Sequence, residues 1–137
     1  LYETLSIYTS RMDKDKRERG NLRRKEDVFY KFLILVEENF QKERSVNYYA
    51  ERLDITPKHL SAVAKDTSGH TAGEWIDSYV ILEAKLLLHN SELTIQEISN
   101  QLNFANQSFF GKYFKHHTGE SPRAYRQAIL DGKDESV

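Results

Sequence analysis

The chain has 137 residues, a net charge of −1, 39% hydrophobic and 30% charged residues, and no cysteine. That length admits one domain or two very small ones sharing a core, because domains below about 50 residues seldom fold unaided. Without thiols, disulfide scaffolds, thiolate zinc sites and cysteine nucleophiles are excluded and a reducing cytoplasm is the expected compartment. No apolar run approaches the roughly 18 residues of a membrane span, and the start lacks the basic and apolar regions of a signal peptide.

Two prolines and six glycines predict an all-α chain. A pI near 6.6 weighs against nucleic acid as a partner, since such domains often exceed a pI of about 9. The charge is uneven, however. Arg11 to Lys25 holds eight basic residues against Asp13, Asp15 and Glu18. Phe104 to Arg126 holds Lys112, Lys115, Arg123 and Arg126 against Glu120 alone.

In chain order, Leu1, Leu5 and Tyr8 fit the tail of a helix, and a start at Leu1 suggests a fragment of something longer. Residues 11–25 read as a charged linker, either a solvated hinge or a phosphate-contacting arm. Phe29, Phe32, Leu33, Val36 and Phe40 trace one stripe of a packing helix over 27–43. Short helices follow near 46–53, 57–67, 72–89, 95–102, 107–117 and 122–129. Thr56-Pro57 and Ser121-Pro122 pair a hydroxyl cap with a proline at the first helical position. Thr71 with Glu74, and Thr94 with Glu97, match the capping box, while Gly69 and Gly119 suit left-handed helix ends.

The segment 45–69 repeats as 94–119. Val46 meets Ile95, Ala50 meets Ser99, Leu53 meets Leu102 and Ile55 meets Phe104. After one extra residue in the second turn, Leu60 meets Phe110, Lys65 meets Lys115 and Gly69 meets Gly119. Each unit is a short helix, a tight turn and a second helix, with a small residue where the helices cross. This is the helix-turn-helix pattern, whose second helix can lie in the major groove. The joining helix carries Trp75, Ile76, Tyr79, Leu82, Leu86 and Leu87 as its expected apolar face. About nineteen residues give it roughly 28 Å, close to the roughly 34 Å repeat of duplex DNA.

Through "TIQEISNQLNFANQSFFGKYFKHHTGESPRAYR" and "LEAKLLL" the sequence resembles the C-terminal DNA-binding domain of AraC/XylS-family bacterial transcription regulators, over about residues 27–128. The resemblance implies about seven helices, two homeodomain-like helix-turn-helix subdomains joined by a linker helix, and contact with RNA polymerase at promoters. It implies a missing N-terminal part that senses an effector or dimerises. The expected organisation is 1–25 tail and basic linker, 26–70 first subdomain, 71–90 linker helix, 91–130 second subdomain and 131–137 disordered tail. No cofactor and no membrane partner is expected.

Within that frame Phe110, Tyr113 and Phe114 are spaced to pack inward. Gln107, Ser108, Gly111, Lys112 and Lys115 occupy the opposite face, with Asn106 at its start. Gln pairs with adenine, Lys donates to guanine or phosphate, and Gly admits close backbone approach. Phe109 lies between the faces. The corresponding face of the first unit is Lys58, His59, Ser61, Ala62 and Lys65. Ala62 and Ala64 stand where the family often has Arg and Phe, so the first reader is expected to position more than specify. Asn103 replaces a usual Gly, and Val80 a frequent Arg. Arg123 is a phosphate candidate beside Ser121, and Arg126 suits phosphate or helix carbonyls. His70, His116 and His117 make no metal set, since adjacent helical residues point about 100° apart.

The leading expectation is therefore sequence-specific binding of double-stranded DNA, with helices 57–67 and 107–117 in successive major grooves. The alternative is a helical protein-interaction module with little DNA affinity. No glycine phosphate loop, nucleophile elbow or metal cluster supports an enzyme, and without cysteine the alkyl transfer of some relatives is excluded.

Overall fold

The computed structural model describes residues 2–132, with side chains described from residue 16. Contacts of Leu1, Leu5 and Tyr8, and the tail from residue 133, lie outside the described residues. Among those described, the chain forms α1 (Tyr2–Asn39), α2 (Val46–Arg52), α3 (Pro57–Ser68), α4 (Ala72–Leu88), α5 (Ile95–Gln101), α6 (Gln107–Thr118) and α7 (Pro122–Leu130), and no strand.

Each helix after α1 starts at a side-chain cap: Ser45, Thr56, Thr71, Thr94, Asn106 and Ser121 accept a backbone N–H from the first turn. Such a cap is worth about 0.5–2 kcal/mol. Thr94 and Glu97 complete the expected capping box. At α4 the Thr71 hydroxyl accepts from the Glu74 N–H, but the Glu74 carboxylate turns to the Thr71 hydroxyl and to His70 Nδ1 at 3.0 Å. The His70 hydrogen bond, first among the causes, holds the Glu74 carboxyl below its usual range.

Two expectations need correction. The basic stretch 11–25 is not a break before a helix at 27, because α1 runs unbroken from Tyr2 to Asn39. Arg, Lys and Glu are strong helix formers, and charge alone does not interrupt a helix; Gly20 costs it only about 1 kcal/mol. Its end comes earlier than residue 43, where the Asn39 side chain donates to the Leu35 carbonyl at 2.8 Å and the Asn39 carbonyl accepts from Glu43.

The second correction concerns α4. Its fully buried positions are Ala72, Ile76, Val80, Ala84 and Leu88, a single row at spacing four. Leu82 and Leu86, expected in the apolar face, are 50% and 46% exposed. Trp75, Tyr79, Ile81 and Leu87 flank the row, partly buried against the same core, and α4 contacts α1, α2, α3, α5, α6 and α7. Small Ala72 and Ala84 let flanking helices come close, and Val80 serves as a core residue. At 17 residues, α4 spans roughly 25 Å.

The start of the two turns repeats at the backbone. Asp54 and Asn103, one at each turn, both adopt positive φ, 59° and 58°. Ile55 N–H then donates to Ala50 and Phe104 N–H to Ser99, each at 3.0 Å. Asp and Asn tolerate this geometry better than other side-chain-bearing residues. Ala50 and Ser99 are fully buried at the two crossings, as expected. At the far ends Ser68 Oγ donates to the Ala64 carbonyl and Thr118 Oγ1 to that of Phe114, and Gly69 and Gly119 close the helices at φ 86° and 90°.

Candidate nucleic-acid interface

α3 and α6 are the second helices of the two units, and each turns one face inward. In α6, Phe110 and Phe114 are fully buried, and Tyr113 is half-buried with its hydroxyl donating to Asp77 Oδ1 at 2.5 Å. Phe104 stacks beside Phe110 and Tyr113, with centroids at 5.2 and 5.1 Å. In α3 the matching positions are Leu60, Val63 and Ala64, all buried. Beside them α1 packs on α3, and its Phe29 and Phe32 reach Trp75 and Tyr49 at 5.6 and 5.8 Å.

What remains outside is the polar face. Lys58, His59, Ala62 and Lys65 on α3, and Ser108, Lys112 and Lys115 on α6, are exposed, while Ser61, Gln107 and Gly111 are partly covered. Asn106 is committed as the α6 cap, its Oδ1 accepting from Phe109 N–H at 2.9 Å. That leaves its amide NH₂ for a ligand. Phe109 is 57% exposed, so it belongs to the outer face and not to the core. A Cβ placed on Gly111 meets nothing within 4 Å; packing inside the chain gives no reason for glycine there.

The two outer faces keep one register and differ in composition. Gly111 and Lys112 fall opposite Ser61 and Ala62, so the second helix has a cation where the first has a methyl. Lys65 and Lys115 match, each near the helix end.

The remaining candidates separate. Arg123 is exposed near the start of α7, where Ser121 caps the Ala124 N–H. Arg126 turns away from the interface: Nε donates to the Leu88 carbonyl at 3.1 Å and Nη2 to Asn90 at 3.0 Å, closing the end of α4. Of the histidines, His70 pairs with Glu74 at 3.0 Å and His117 with Asp77 at 3.6 Å.

Residues 49–128 match the family model described as "Helix-turn-helix domain". The chain belongs to the AraC/XylS-type family of helix-turn-helix DNA-binding domains. It is 30% identical over 99 residues to the HTH-type transcriptional activator AarP of Providencia stuartii, covering 72% of this chain and 73% of that protein. It is 29% identical over 93 residues to the uncharacterized HTH-type transcriptional regulator YtdP of Bacillus subtilis, covering 68% of this chain but 12% of that one. The chain thus spans a small part of some relatives and most of others. Its fold is that of the DNA-binding domain of AdpA, a global transcriptional factor solved in complex with a target DNA, with TM-score 0.67, 19% identity, and 79% and 97% of the two chains covered. No helix among the described residues is long and apolar enough to cross a membrane.

Sequence reasoning missed Arg44, Asp54 and Asp77. Arg44 lies in the loop after α1 yet contacts the turn between α5 and α6, and no local spacing signals a partner so distant in the chain. Asp54 was detectable as the counterpart of Asn103 in the repeat.

Proposed function

We propose that this chain reads double-stranded DNA sequence-specifically, with α3 and α6 entering successive major grooves on one side of the duplex. The observation that carries the reading is the glycine at 111. It sits mid-helix on an exposed polar face, at a helix-propensity cost of about 0.8–1 kcal/mol, with open space around its missing Cβ. A face built to let another backbone approach accounts for that cost.

In this reading Gln107, Ser108, Gly111 and Lys112 meet base edges, with Phe109 against a thymine methyl and the Asn106 amide at the groove edge. Lys58, His59, Ser61, Ala62 and Lys65 dock the first helix, mainly on phosphate. Lys115 and Arg123 hold phosphates beside the second. The functional divisions are 26–70, 71–90 and 91–130. A part outside this chain supplies effector sensing or dimerisation, the bound complex contacts RNA polymerase, and the protein acts in the cytoplasm. The role is binding, and no catalytic step is assigned.

Selection of bound duplexes from a random pool, followed by affinity against salt, tests this. Five cations, Lys58, Lys65, Lys112, Lys115 and Arg123, predict that log affinity falls with log salt at a slope of about −4 to −5. Gln107→Ala or Lys112→Ala should cost about 1–3 kcal/mol and relax preference at one position, while Lys65→Ala weakens all duplexes alike. An unenriched pool with no binding at low salt would favour the protein-interaction alternative.

A further inference from the structure

The two units touch away from α4 as well. Arg44 stands in the loop between α1 and α2, just before the Ser45 cap, and reaches the turn between α5 and α6. Its Nη1 donates to the Leu102 carbonyl and its Nη2 to the Asn103 carbonyl at 3.0 Å, while the guanidinium carbon lies 3.9 Å from the centroid of the Phe104 ring. Asn103 returns the contact, donating from Nδ2 to the Lys42 carbonyl at 2.9 Å.

Both ends of this bridge are held. On the first unit, Tyr49 donates its hydroxyl to the Glu43 carbonyl at 2.7 Å, fixing the loop that carries Arg44. On the second, Phe104 packs against Phe110 and Tyr113 of α6 itself. A planar guanidinium is suited to this place, because it can meet two neighbouring carbonyls at a helix end and stack on a ring at once. Asn103 is suited for a separate reason: it takes the positive φ of the turn, which glycine would do as easily, but also supplies a donor, which glycine cannot.

Two bodies joined only along one helix can twist about it; a second fastening off that axis removes the freedom. We propose that Arg44 and Asn103 form a clamp that sets the separation and twist of α3 and α6, and through them the spacing of the two DNA elements this chain accepts. The proposal rests on the duplex reading above. One added base pair moves the second groove by about 3.4 Å and turns it by about 35°, so a stiff linkage discriminates spacers and a loose one does not.

The test uses duplexes carrying the selected pair of elements with the spacer lengthened or shortened by one base pair. The parent is compared with Asn103→Gly, which keeps the turn, and with the double variant Arg44→Met and Asn103→Gly, after thermal melts show that each folds. The parent should lose about tenfold or more in affinity on a one-pair change. The double variant should lose less than about threefold, with affinity for the isolated second element unchanged. A double variant as selective as the parent, or a parent indifferent to spacing, overturns the proposal. Residual dipolar couplings of the free protein separate this from failure of the duplex reading. A single alignment of both units in the parent, split in the double variant, supports the clamp whatever the chain binds; a single alignment in both overturns it.

Discussion

Replacing Gly111 with alanine adds one methyl to a mid-helix position of α6. In the free chain the new carbon meets nothing within 4 Å, so no packing cost offsets the gain in helix propensity and the loss of unfolded-chain freedom. The substitution should stabilise the domain by about 0.5–1 kcal/mol. With an unfolding entropy of about 2.1 cal/mol/K per residue, that shifts the melting midpoint upward by roughly 2–4 °C. On the duplex the sign reverses. If the α6 backbone lies against DNA there, the methyl must push the helix outward, and affinity should fall by about tenfold or more, or 1.4 kcal/mol. A thermal melt and a duplex titration on one preparation read both numbers. Stabilisation with unchanged affinity would refute close approach at Gly111, and destabilisation would refute the open space from which the argument starts.

Two further expectations concern the fold. Ser99 is fully buried and its hydroxyl has no hydrogen-bond partner among the described residues, so Ser99→Ala, which copies Ala50 of the first unit, should stabilise by about 1–2 kcal/mol in chemical denaturation; a loss of stability would mean the hydroxyl is satisfied. Burial, chiefly, raises the Tyr49 and Tyr113 phenols well above their ordinary range, with the Asp77 hydrogen bond adding to the effect at Tyr113. A folded value above the unfolded one means their contribution is complete at lower pH and is lost as pH rises past about 10. Stability should therefore decline there, less steeply in Tyr113→Phe, and an identical slope in that variant would rule Tyr113 out as the source.

Much of the fold was legible because its signals are local. Thr56-Pro57, Thr94 with Glu97, and Gly119 each act within a few residues of themselves, so six helices start where their caps stand. The repeat was legible for a different reason: Ala50 and Ser99, or Gly69 and Gly119, answer the same geometric demand twice, and the second copy checks the first. What could not be read needed distance or direction. The inner face of α4 depends on where the other six helices pack, which buries the row Ala72 to Leu88 and leaves the bulkier Leu82 and Leu86 half exposed. The run before residue 26 reads as a linker from its charge alone, although Arg, Lys and Glu favour helix. Arg44 carries no sign of its partners, which lie 58 and 59 residues on.

The near-zero net charge, which argued against DNA from composition, loses its force once the charges are placed. Long-range attraction depends on where cations stand relative to the phosphates, not on their sum. On the outer faces of the reading helices the acid of α3 is Asp66, and it is paired with Lys25 of α1 at 3.2 Å; α6 contains no acid at all. Of the three acids of α4, Asp77 is taken up by Tyr113 and His117 and Glu74 by His70. In the duplex reading proposed above, neutrality lowers non-specific attraction while the proposed interface stays basic, which favours a domain that finds its element by fit over one that adheres to any phosphate backbone. In such a domain the relative placement of the two readers matters more than charge, and that placement is what the contact between Arg44 and Asn103 holds.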